Sequence, residues 1–213
     1  MRTATMEQSR MIEERYPLLC SAAALVADPL VRNRGTVVGS LVHADPAGDW
    51  AAAMMAARAE VVVEGPNGQR TIGIDQFLVD TFTSALEEAE VAVECRVRTP
   101  GSRSGGNYQK IERKVGDYAT AAVGVQVSWD QAGVCTEVGI GLCAVGPITL
   151  RARAAEQYLV GKPLTEENIR QAAALAAGES QPAADTRGPA EYKRDMVRVL
   201  TARALRNSIN GKQ

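Results

Sequence analysis

RNRGTVVGSLVHADPAGDWAAAMMAARAE, residues 32–60, is the stretch on which the reading of this chain turns. Two arginines and a glycine lead into Thr36-Val37-Val38-Gly39-Ser40, and then into apolar Leu41-Val42. His43-Ala44-Asp45-Pro46 follows, ahead of a run rich in alanine and methionine. Asp45 is a favoured N-cap and Pro46 a favoured first helical residue, so a helix is expected from Asp45 to Ala59. Asp49 then falls in the first turn, where the helix dipole favours a carboxylate. Glycine at the Gly39-Ser40 bend permits close approach of backbone to a ligand. Free amides there, with the Thr36 and Ser40 hydroxyls, are what a phosphate oxygen needs. On these residues alone, a Gly-Ser turn before a helix is an ordinary turn, and Asp49 an ordinary helix-dipole residue.

Upstream, residues 7–27 carry apolar positions at helical spacing, with Pro17 breaking or restarting the helix and Asp28-Pro29 ending it. Downstream, Val61-Val62-Val63-Glu64, the turn Gly65-Pro66-Asn67-Gly68 and Arg70-Thr71-Ile72 read as a hairpin. Residues 74–82 read as a short helical or irregular connector. Val91 to Val97 reads as a strand, and the Gly/Ser stretch from Gly101 to Gly106 as a domain boundary or a mobile loop. Beyond Tyr108, Ala121 to Trp129 alternates, with Val123, Val125 and Val127 on one side. After a turn at Asp130-Gly133, Val134 to Val145 alternates with Val134, Thr136, Val138, Ile140 and Leu142 on one face. Helices are expected over 150–159, 165–177 (with Thr165 as N-cap) and 189–207, separated by a polar loop at 178–188. Helices following an antiparallel meander make the chain α+β.

Composition narrows the function classes. The chain has 213 residues and a formal net charge of −1, with Lys and Arg dispersed, so neither a nucleic-acid surface nor an anionic-membrane surface is expected. There is no apolar run long enough for a membrane span and no apolar signal core, so a cytoplasmic location is expected. Aromatic content is 4%, which leaves the core to Ala, Val, Leu and Ile. Cys20, Cys95, Cys135 and Cys143 form no Cys-x-x-Cys pair, which argues against a zinc or iron–sulfur framework and for reduced thiols. His43 is the only histidine, and its place between apolar residues suits a structural or supporting group better than a catalyst.

The string RNRGTVVGSLVHADPAGDW resembles the flavin-binding loop of the medium subunit of molybdenum hydroxylases, whose usual form is RNRGTIGGSLAHADPAAD. That family includes the flavoprotein subunits of aerobic carbon monoxide dehydrogenase and the flavin domain of xanthine dehydrogenase. The resemblance implies that Thr36, Gly39 and Ser40 hold the FAD pyrophosphate and that Asp49 contacts the cofactor. Val38, in the same loop, replaces the first glycine of the family's Gly-Gly pair; a positive φ there would strain a β-branched residue. A second segment, Tyr108 to Ala119 (YQKIERKVGDYA), reads by itself as a strand edge with solvated charges and a turn at Gly116-Asp117. It resembles the motif opening the family's C-terminal domain, and by that resemblance Lys110 and Tyr118 lie against the flavin. A lysine at the N1/C2 edge stabilises charge on the reduced ring. Asp117 reads as a turn and positioning residue, and Gly146 to Ala152 matches the family's strand-to-helix junction.

The resemblance implies part of an FAD-binding domain (PCMH type) over residues 1–104, then a carbon monoxide dehydrogenase flavoprotein-like C-terminal domain over 105–213. That second unit would be a three-stranded antiparallel sheet with a helical bundle. It further implies an electron-transfer subunit of an oxidoreductase. Its partners would be a molybdopterin-binding large subunit, where substrate is oxidised, and a small subunit with [2Fe–2S] clusters. Family members carry an additional N-terminal loop, Ala-Gly-Gly-x-Ser-Leu, that also binds the diphosphate and is absent from this sequence. The chain is therefore expected to bind FAD poorly alone, and a separately encoded N-terminal half of the flavin domain is a candidate further partner. The competing expectation is a flavin-free docking module. A free-standing flavin oxidase and an unrelated α+β binding protein rank lower.

Overall fold

The computed structural model describes residues 1–211. Lys212 and Gln213, the end of the expected 105–213 unit, lie outside the described residues. The first third is a series of short helices: α1 (Thr3–Glu7), α2 (Arg10–Arg15), α3 (Pro17–Ala23), α4 (Pro29–Arg34), α5 (Val37–His43) and α6 (Asp49–Ala56). Pro17 restarts the helix as expected, because it suits a first helical position. Asp28-Pro29 does not end the expected helix over 7–27, which is broken into separate pieces and stops at Ala23; instead the Asp28 carboxylate accepts the Val31 amide and caps α4.

A hairpin follows, β1 (Glu60–Gly65) with β2 (Gly68–Gly73), then α7 (Ile74–Phe77), β3 (Leu78–Asp80), β4 (Thr83–Ser84) and β5 (Val91–Arg96). The antiparallel order β2-β1-β5 makes one small sheet. The second sheet is β6 (Ser104–Ile111), β7 (Ala121–Trp129), β8 (Cys135–Cys143) and the two-residue β9 (Leu150–Arg151), antiparallel throughout. Helices α8 (Arg153–Leu159), α9 (Glu166–Glu179) and α10 (Ala190–Asn210) close the chain. The fold is α+β, with the meander and helical C-terminus the sequence implies.

Alternation sorts the larger sheet into two faces. Val123, Val125, Val127, Val138, Ile140 and Leu142 bury against the C-terminal helices. Thr136 departs from that row and is exposed. A bulge pairs Ser128 with Glu137 but Trp129 with Cys135, which leaves Thr136 as the extra residue and turns Cys135 inward. The other face meets α6, all of whose residues are buried. There a Cβ added to Gly139 would lie 1.9 Å from the Ala56 carbonyl oxygen, and one on Gly141 would lie 2.1 Å from that of Ala52. The alanine-rich helix therefore rests backbone to backbone on a glycine seam, between the two sheets.

The second half of the Gly/Ser stretch expected as a boundary or loop is strand, while residues 101–103 carry no regular structure. Ser104, Gly105 and Gly106 belong to β6, and a Cβ on Gly105 would fall 1.7 Å from the Ser208 carbonyl oxygen of α10. Those glycines permit close packing.

Candidate functional site

The first helix of the site is α5, which the sequence reading treats as a loop. Thr36 caps it: its hydroxyl accepts the Gly39 amide at 3.1 Å, and its carbonyl accepts the Ser40 amide at 3.0 Å. The expected free amides of Gly39 and Ser40 are therefore spent inside the helix. Val38 is helical and absent from the residues with positive φ, so the anticipated strain does not arise. Its amide, at the second position of the helix, has no hydrogen-bond acceptor among the described residues.

Ala44, at φ 51°, ends α5 in the left-handed region. Asp45 then accepts the Ala47 amide at 2.8 Å in a tight turn. Asp45-Pro46 is consequently a turn and not a helix start. The helix begins three residues on, with Gly48 as N-cap and Asp49 in the first turn. This turn, α5, the segment Val26–Asp28 and the Gly116–Tyr118 loop enclose a cleft of about 280 Å³ that also reaches Ser40, His43 and Asp49. His43 is exposed and tilts against Phe82, ring centroids 5.2 Å apart, in keeping with a supporting role.

The cleft floor is a buried ionic network. Asp49 is 7% exposed and accepts the Tyr108 hydroxyl at 2.9 Å on one oxygen and the Lys110 ammonium at 2.9 Å on the other. Lys110 also donates to the Leu25 carbonyl at 2.9 Å and forms an ion pair with Glu112 at 3.1 Å. Burial pushes the Asp49 carboxyl up against the opposing pull of Lys110 and Tyr108. For Lys110, burial disfavours the charge, but Asp49 and Glu112 outweigh it and hold the ammonium charged. The Lys110 side chain is 1% exposed, its ammonium set between Asp49, Glu112 and the Leu25 carbonyl behind the cleft floor.

Tyr118 forms the opposite rim, 51% exposed, its phenol raised by burial and by the Asp45 carboxylate. Asp117 accepts the Tyr118 amide at 2.8 Å and the Arg187 guanidinium at 3.4 Å; these contacts hold its carboxyl below the usual range. Asp117 is thus the turn and positioning residue the sequence suggests.

Of the residues singled out in the sequence, Ser40, Asp49 and Tyr118 line one cleft, while Thr36, Val38 and Gly39 build the helix whose side forms its edge. Lys110 stands behind Asp49. Tyr108, Arg32 and Arg187 are additional. Tyr108 could be found, because it lies two residues before Lys110 on one strand and so shares its face. Arg32 opens the RNRG string shared with the family, which by itself assigns it no role, and Arg187 carries no such signal.

The cleft fits part of an FAD. Its wall of Val26 and Val31 and the exposed Tyr118 ring suit a planar aromatic group. The Gly39 and Ser40 amides are paired within α5 in this structure. Among the described residues, no cluster of His, Cys, Asp and Glu could hold a metal, and no helix is long and apolar enough to cross a membrane.

Comparison with known proteins adds an independent line. Residues 1–100 match the FAD binding domain in molybdopterin dehydrogenase, and residues 106–208 match the CO dehydrogenase flavoprotein C-terminal domain. The chain is 42% identical to the carbon monoxide dehydrogenase medium chain of Hydrogenophaga pseudoflava, over 92% of this chain and 68% of that one. It is 32% identical to the 6-hydroxypseudooxynicotine dehydrogenase complex subunit alpha of Paenarthrobacter nicotinovorans, over 98% of this chain and 71% of the relative. Its fold superposes with a TM-score of 0.93 on a solved carbon monoxide dehydrogenase from Hydrogenophaga pseudoflava that lacks the Mo-pyranopterin moiety of the molybdenum cofactor. That match covers 98% of this chain and 72% of the other.

Proposed function

This chain belongs to the FAD-binding medium subunits of the molybdenum hydroxylases, and we propose from that premise that it carries electrons between the other subunits of its complex and an external acceptor. FAD is the cofactor of this family, and the relatives are oxidoreductase subunits. On the proposed reading, substrate is oxidised at a molybdopterin-binding large subunit. Electrons pass through the [2Fe–2S] clusters of a small subunit to this chain, in the cytoplasm. The division into residues 1–104 and 105–213 is part of the same proposal.

The observation that carries the reading is the convergence on one cleft of Ser40 and Asp49, from one motif, with Tyr118 from a segment far along the chain. Bound FAD would supply a redox centre that exchanges electrons with one-electron and two-electron partners. The chain's own residues bind and orient. Tyr118 would cover the ring and limit which acceptor approaches it. Asp49, held by Tyr108 and Lys110, would present a fixed floor. The Ser40 hydroxyl, which lines the cleft, and the unspent Val38 amide on the same helix would be the donors offered to a phosphate.

A second reading, a flavin-free docking module, is favoured by one observation: the Gly39 and Ser40 amides are already paired. A visible spectrum of the protein purified with its partner subunits separates the two. Bound-flavin bands that weaken when Tyr118 is replaced by alanine support electron transfer. Their absence from the intact complex supports the docking module.

A further inference from the structure

Helix α3 ends at Ala23 and α4 starts at Pro29, and the segment between them forms one wall of the cleft. Three consecutive carbonyls in that segment, those of Leu25, Val26 and Ala27, accept no backbone amide among the described residues. Unpaired carbonyls in a partly buried turn are costly, and here cationic side chains take all of them. Lys110 donates to Leu25 at 2.9 Å; Arg32 donates to Val26 at 3.2 Å and to Ala27 at 2.9 Å. Arg32 is itself held by Glu7 at 2.9 Å and is 15% exposed.

The wall is also pressed from the opposite rim. Ala27 adopts φ 46°, which side chains rarely do, and a Cβ on Gly116 would come within 3.2 Å of the Ala27 carbonyl. A segment with no regular structure and an unfavourable backbone angle keeps one shape only if outside contacts impose it.

We propose that Lys110 and Arg32 are positioning residues of the flavin cleft, which fix Leu25–Asp28 as its wall by gripping three successive carbonyls. The proposal rests on the reading that FAD occupies this cleft. Lys110 does a second job: its ammonium ties that wall to the floor carboxylate, Asp49. Its charge is therefore spent within the protein, and its influence on the cofactor passes through the cleft's shape.

The test uses the full chain and three variants, Lys110→Met, Lys110→Arg and Arg32→Gln. Amide hydrogen exchange over residues 25–31 is followed without flavin, and FAD binding and midpoint potential are then measured by titration. The expected result is exchange faster by about tenfold or more over 25–31 in Lys110→Met and Arg32→Gln. FAD should bind about tenfold more weakly, with an unchanged midpoint potential for the flavin that remains bound. Lys110→Arg should recover part of both losses. Unchanged exchange in Lys110→Met together with a shifted flavin potential would overturn the proposal, since a direct charge on the ring acts that way. Should Lys110→Met fail to fold, Arg32→Gln decides the matter, because it releases two carbonyls without touching Asp49. Wild-type protein that binds no FAD, alone or in its complex, refutes the functional reading instead; the exchange result then still decides whether these cations hold the wall.

Discussion

The glycine seam beneath α6 and the cleft at its N-terminus lie on the same helix yet are held by opposite means. In the seam, Ala52 and Ala56 carbonyls stand where a methyl on Gly141 or Gly139 would have to go, and contact is dense and apolar. At the cleft, charged hydrogen bonds hold floor and wall: Lys110 to Asp49, and Lys110 and Arg32 to partly buried carbonyls. The seam sets where the helix lies. The charges set the form of the depression at its end. Shape complementarity needs no particular chemistry, whereas a binding site needs groups whose removal is felt.

The sharpest way to break the contrast is Asp49→Ala, which strands a buried ammonium. A loss of about 3–5 kcal/mol of stability is expected, read from urea unfolding. A loss under about 1 kcal/mol would mean that the network is solvated and adds little. Next comes Gly139→Ala in the seam, where added bulk meets backbone and cannot rotate away. About 1–3 kcal/mol is expected, or more if the helix cannot shift, measured the same way. If Gly139→Ala proves neutral, the seam is looser than its geometry states. A smaller effect is expected at the cleft edge: Thr36→Ala removes the cap of α5 and costs about 1 kcal/mol, with faster amide exchange at Gly39 and Ser40.

The smallest effect lies outside both regions. Glu166 on α9 accepts from Arg206 of α10 at 2.9 Å, and its carboxyl is lowered from 4.5 to about 2, chiefly by that bond. A lowered folded pKa contributes stability that is fully present above the unfolded value. It is lost as pH falls from about 4.5 towards about 2. Thermal melting of Glu166→Gln should therefore show a small deficit in stability at neutral pH that closes as pH falls from about 4.5 towards about 2, and so a shallower loss over that acid range.

The C-terminal half was legible because its information is periodic. Val123, Val125 and Val127 alternate, and Thr165 and Pro189 mark where helices begin. Two exceptions stand: Thr136 follows from a bulge that alternation cannot foresee, and Leu150-Arg151, expected to open a helix, instead pair with β8 as the fourth strand of a sheet expected to have three. The hairpin at Gly65–Gly68 was equally plain from turn chemistry. In residues 32–60 the small polar residues were expected to form a turn and a helix start elsewhere than they do. Gly39-Ser40 proved to be the first turn of a helix, and Asp45-Pro46 a turn before one. Cap, turn and phosphate loop draw on the same small polar residues, so composition does not distinguish them.

From the sequence by itself came the α+β class, the strand and helix order of the second half and the family resemblance, because propensity, alternation and motif identity are properties of neighbouring residues. Only the tertiary structure decided that Lys110 is enclosed, that Arg32 and Lys110 share the task of holding one wall, and that two glycines make room for a helix. Each of those facts depends on which backbone atom a distant segment brings within about 3 Å, the range over which hydrogen bonds and steric overlap act.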